Sequence, residues 1–114
     1  MNRTDEIIMP GAILAVAARE WGLTGSALKS KWRTRDISRA RSVALAIMQE
    51  RMTWSYPQLA RAVGMRSHTS AIHSAKRGAA LLAEDPKLAE RLRLGVDAEL
   101  ANRRRDTKLD ESLL

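Results

Sequence analysis

A chain of 114 residues, 45% of them apolar, has room for one compact domain with a buried core. Its apolar set contains no Phe and no Cys, which favours helices over a β-sandwich and excludes disulfides and thiolate metal sites. The net charge of +7 is localised: residues 19–41 carry +5 and residues 42–83 carry +4, whereas 1–18 and 84–114 each carry −1. A polyanion-binding surface concentrates charge in this way, and a general solubility requirement does not.

The apolar run over residues 7–18 has the look of an export signal. Asp5 and Glu6 cancel the positive lead-in that such signals need, and the run continues into Arg19-Glu20-Trp21 as an amphipathic helix. No stretch reaches the roughly 18 apolar residues of a membrane span. A cytoplasmic protein without a membrane partner is therefore expected.

The first helix is predicted over residues 10–21, with Pro10 in its opening turn and Gly22 as its stop. A short helix is expected over 25–30, then a basic loop from Lys29 to Arg35. A main helix follows over 38–52, with Val43, Ala44, Ile47 and Met48 on its buried face. Ser55-Tyr56-Pro57-Gln58 has the form of a capping box that opens a short helix ending near Val63, and Gly64 makes the turn. Ser67 is then the N-cap of a helix to about Leu82, with Ile72, Ala75, Ala79 and Leu82 inward. Asp85-Pro86 starts a last helix with an apolar stripe of Leu88, Leu92, Val96 and Leu100. From residue 102 a flexible tail is expected.

These elements make an all-α, compact helical bundle containing a helix-turn-helix. Residues 1–6 read as an N-terminal extension, 7–101 as the domain and 102–114 as the tail. In the second helix of the motif, Arg66, Ser67, His68, Thr69, Ser70, His73 and Lys76 crowd the start and one side of an aliphatic helix. Hydroxyls and imidazoles hydrogen-bond base edges, and Arg and Lys reach phosphates or guanine, so this is the composition of a helix read into the DNA major groove. Arg33 and Arg35 lie too far upstream to share that groove segment and suit an adjacent minor groove.

Catalysis is not expected. His68 and His73, five residues apart on a helix, do not share a metal site, and no acid lies between Arg51 and Ala83 to orient a base. No metal, cofactor or nucleotide is implied, and there is no Gly-x-x-x-x-Gly-Lys-Ser/Thr loop.

Lys-Trp-Arg-Thr-Arg, then Ser-Arg-Ala-Arg-Ser-Val-Ala-Leu-Ala, Ser-Tyr-Pro-Gln-Leu, Gly-Met-Arg-Ser-His-Thr-Ser and His73 together resemble domain IV of the bacterial replication initiator DnaA. The resemblance runs without gaps from Ser30 to Lys76. It implies a Trp-repressor-like fold and sequence-specific binding of double-stranded DNA. It also implies that Arg33, with Arg35 beside it, enters the minor groove, that Arg66, His68 and Thr69 read the major groove, and that Tyr56 and Pro57 lie near thymine methyls. The chain departs from the family at Ser67, usually Asp, at Trp32, usually basic, at Ala40, usually Pro, and at Ala71, usually Val. Without an ATPase domain it reads as a DNA-binding regulator of transcription or replication. The competing expectation is a protein-interaction module, with a partner on the C-terminal helix, that keeps the fold without specific DNA binding.

Overall fold

Short-range capping divides the chain into helices before any tertiary contact is considered. The computed structural model describes residues 3–113, and among these it has six helices and no strand. They are α1 (Arg3–Glu20), α2 (Gly25–Lys29), α3 (Arg35–Arg51), α4 (Tyr56–Ala62), α5 (His68–Glu84) and α6 (Pro86–Leu113). None of them is long and apolar enough to cross a membrane. Thr24, Thr34 and Ser67 each accept the backbone N–H three residues on, which satisfies a donor that has no partner inside the helix. At α4 both halves of the capping box form: Ser55 accepts from the Gln58 amide, and Gln58 Oε1 accepts from the Ser55 amide at 2.8 Å.

Two glycines stop helices. Gly22 has φ +68° and Gly64 φ +71°, a left-handed conformation that favours glycine. In each case the next amide bonds back five residues: Leu23 N–H to Ala18 O, and Met65 N–H to Ala60 O, both at 2.8 Å. The Gly64 turn is also seated on the end of α2, since a Cβ there would press into the Lys29 carbonyl. This contact ties the helix-turn-helix to the start of the basic loop.

The bundle is built around α3, whose residues 41–48 are all buried. Its broadest contact is with α5, and it also packs on α1. Leu92, Val96 and Leu100 of α6 are buried, with α1 as that helix's main neighbour, and Leu88 packs at the margin of the core.

Several expected boundaries are corrected. The first helix begins at Arg3, so Pro10 is inside it and residues 3–6 are not a separate extension. Asp5 and Glu6 suit the positive end of the helix dipole, and Arg104 grips Asp5 with two 2.7 Å bonds. At the other end, α6 does not give way after residue 102 but continues to Leu113, with Arg103 bonded to Glu99 and Arg104 to Asp5. Arg35 belongs to α3 rather than to the loop, because Thr34 caps the helix one residue before it, and Lys29 belongs to α2.

The inward face of α5 is also rotated from the expected one. Ala71, Ser74, Ala75, Gly78 and Leu82 are buried, whereas Ile72 is half-buried and Ala79 exposed. Close approach of α3 is the reason. Ser74 Oγ lies 2.8 Å from Ser42 Oγ, and the Gly78 backbone rests against the Ser42 carbonyl. Small residues admit the α3 backbone here, and Ile72 on this face would hold it away.

Candidate nucleic-acid interface

The start of α5, the Gly64 turn and the loop over residues 30–34 frame one cleft of about 600 Å³. The loop contributes Ser30, Lys31 and Arg33, and the turn contributes Gly64, Met65, Arg66 and Ser67. From α5 come Ser70, His73, Ser74 and Arg77, and Ser38 and Arg41 of α3 line the side between them. No acidic side chain lines it. Arg33 and Arg66, widely separated in the chain, thus face a common concavity.

The loop owes its shape to Arg41. This side chain is only 8% exposed, yet it is charged, and its donors are used on the backbone of the end of α2 and of the loop. Nε donates to the Leu28 carbonyl at 2.7 Å, and one terminal nitrogen donates to Ser30 O at 2.8 Å and Trp32 O at 3.4 Å. Burial lowers its pKa from the ordinary guanidinium value, and the positive charge of Arg33 lowers it further. A guanidinium suits this position because its planar fork spans several carbonyls at once. Sequence reasoning had missed Arg41. Its signal was there to read: a basic residue in register with Ile37, Ala44 and Met48 on an otherwise apolar helix face.

Charge pairing divides the molecule. Arg91, Arg93, Arg103 and Arg104 of α6 are paired with Glu20, Glu50, Glu99 and Asp5, and Arg19 and Arg51 are paired with Glu99 and Asp97. By contrast, Lys31, Arg33, Arg35, Arg39, Arg61, Arg66, Lys76 and Arg77 form no ion pair among the described residues. Of these unpaired bases, Lys31, Arg33, Arg66 and Arg77 line the cleft, which concentrates positive potential there.

The expected contact residues fall into four groups. Arg33, Arg66, Ser67, Ser70 and His73 line the cleft. His68, Thr69 and Lys76 are exposed on α5 outside it, the first two in its opening turn. Tyr56 and Pro57 stand in the first turn of α4, where Pro57 is exposed. Tyr56 is half-buried against the core, and its hydroxyl accepts from Gln49 Nε2 at 2.8 Å. Ser67 already works as a cap, accepting the Ser70 amide at 3.4 Å, and keeps its exposure. Arg35, in the first turn of α3, is exposed but does not line the cleft.

A short helix, a glycine turn and a second helix with a basic, exposed N-terminal end define the helix-turn-helix class. Residues 10–77 match the family model described as the bacterial DnaA protein helix-turn-helix, and the chain belongs to that family. It is 34% identical over 85 residues to the chromosomal replication initiator protein DnaA of Neisseria meningitidis, an alignment covering 75% of this chain and 16% of that protein. With the DnaA of Trichormus variabilis it shares 33% identity over 84 residues, covering 74% of this chain and 18% of the relative. The chain therefore spans less than a fifth of the length of these relatives.

Proposed function

We propose that this chain is a sequence-specific double-stranded DNA-binding domain that regulates replication or transcription at sites related to those its DnaA relatives recognise. The observation that carries the reading is the acid-free cleft between the loop and α5, bordered by bases without ion-pair partners. Its dimensions and charge suit a sugar–phosphate strand. With a strand in the cleft, the loop lies on one side of the backbone and the start of α5 on the other. Arg33 then enters a minor groove, with Arg35 beside the phosphates, while Arg66, His68 and Thr69 face base edges in the adjacent major groove. Ser67, Ser70, His73 and Lys76 complete the contact along α5, and the N-terminal end of that helix favours phosphate. Tyr56 and Pro57 approach thymine methyls from α4. The proposed activity is binding alone, without nucleotide hydrolysis, carried out on the nucleoid in the cytoplasm.

Selection of bound sequences from random duplexes tests this reading. A binder is expected to recover a defined motif, and its log–log salt slope on that motif is about −4 to −5 if about five phosphates are neutralised. Recovery of no motif, with no specific complex at low salt, would overturn it.

A further inference from the structure

Trp32 is the large apolar side chain that the fold leaves most conspicuously unused. It is 71% exposed, on a loop whose backbone is held on both sides of it. Its amide donates to Ser30 Oγ at 3.3 Å, and its carbonyl accepts from Arg41. Its neighbours Lys31 and Arg33 line the cleft, whereas Trp32 does not. The loop is thus latched at its backbone while the indole stands in water between two unpaired bases. Exposing so large an apolar surface opposes folding, and nothing inside the domain covers it. The flanking charges select an anionic cover.

We propose that Trp32 is an apolar wedge that enters the DNA minor groove beside Arg33 and partly unstacks a base step. The proposal rests on the DNA-binding reading above and adds a specificity element to it. Wedges of this kind work by opening flexible steps, and pyrimidine–purine steps such as TA open most easily. The Arg41 latch matters to this role, because a wedge held by a loose loop would fold back on the protein instead of prying the stack. Trp32 therefore favours a TA step in the flank over a stiff A-tract, a preference that a lysine or arginine at this position would not produce.

The test uses duplexes built on the site recovered by selection, with either a TA step or an A-tract in the flank, and the corresponding single strand. In a Trp21→Phe/Trp54→Phe background Trp32 is the sole tryptophan, and its emission is expected to be quenched by the TA duplex through contact with bases. Trp32→Ala is expected to lose about ten-fold in affinity for that duplex, with the salt slope unchanged because no charge is removed. Trp32→Phe keeps most of the affinity. Binding of the TA duplex with unaltered Trp32 emission, or an undiminished affinity of Trp32→Ala for it, overturns the wedge while leaving DNA binding intact. Quenching by the single strand alone also overturns it. Absence of any duplex complex overturns the DNA-binding reading itself, and the wedge with it. The emission measurement leaves Trp32 in place, so it decides the matter even where Trp32→Ala unfolds.

Discussion

Ser42 and Ser74 meet hydroxyl to hydroxyl at 2.8 Å where α3 crosses α5, and both side chains are buried. One turn beyond Ser74, Gly78 lets the α5 backbone settle on the Ser42 carbonyl. This crossing sets the distance between the central helix and the helix that carries the interface.

Gly78→Ala is accordingly expected to destabilise the fold, even though alanine is the better helix former. The added methyl would press into backbone rather than into a movable side chain, and overpacking of this kind costs about 1–3 kcal/mol. Denaturant unfolding checks this, and a gain in stability would show that the two helices are not in such close contact.

Arg41→Met is expected to release the loop. The carbonyls of Leu28 and Ser30 lose a charged donor, and a buried unsatisfied group costs about 1–3 kcal/mol. DNA affinity is expected to fall as well, and Arg41→Lys to restore only part of it, since an ammonium lacks the fork that spans several carbonyls. Parallel melting and binding measurements separate the two effects.

For Ser67, stability and specificity are expected to separate. Ser67→Ala removes the cap on the Ser70 amide and should cost about 1 kcal/mol. Ser67→Asp keeps the cap and should shift site preference toward the motif of the DnaA relatives, because a carboxylate only accepts where a hydroxyl also donates. Selection with both proteins is the measurement, and an identical motif from each would remove Ser67 from the specifying set.

Arg33→Ala should weaken binding most on A·T-flanked sites, where the narrow minor groove focuses negative potential. Thermal stability should move by no more than about 0.5 kcal/mol, because the side chain is exposed and makes no internal bond. Undiminished affinity on A·T-flanked and G·C-flanked duplexes alike would make the loop a solvated face.

Acid should loosen the contact between α1 and α6. The Arg104 guanidinium holds the Asp5 carboxyl below its ordinary range, and Arg19, with Arg103, does the same for Glu99. Both folded values lie below the unfolded ones near 4, so the stabilisation is complete above that pH and is lost as pH falls through the folded values. Asp5→Asn should flatten part of this dependence below about pH 5 and leave the slope above it unchanged. Melting curves across the acid range test the assignment.

Local chemistry accounts for what was legible in the sequence. Each cap joins residues three apart, the left-handed glycines sit at the ends of periodic segments, and the charge excess is a property of composition. Ser55, Gln58, Gly64 and Ser67 therefore announced the helix-turn-helix, and the bases between Arg19 and Arg77 announced its charged side. What the sequence could not determine depends on groups brought together from far apart. The α3 backbone decided that Gly78 rather than Ala79 faces inward, because only the absence of a Cβ admits a carbonyl at that distance. Glu20, Glu50, Glu99 and Asp5 decided that Arg91, Arg93, Arg103 and Arg104 of α6 are paired and that Arg33 of the loop is not. Arg41, read in isolation as one more base, became the support of the loop only when folding carried the carbonyls of Leu28, Ser30 and Trp32 to its guanidinium. Periodicity records which residues can be buried, but pairing and close approach depend on distances that only the assembled helices define.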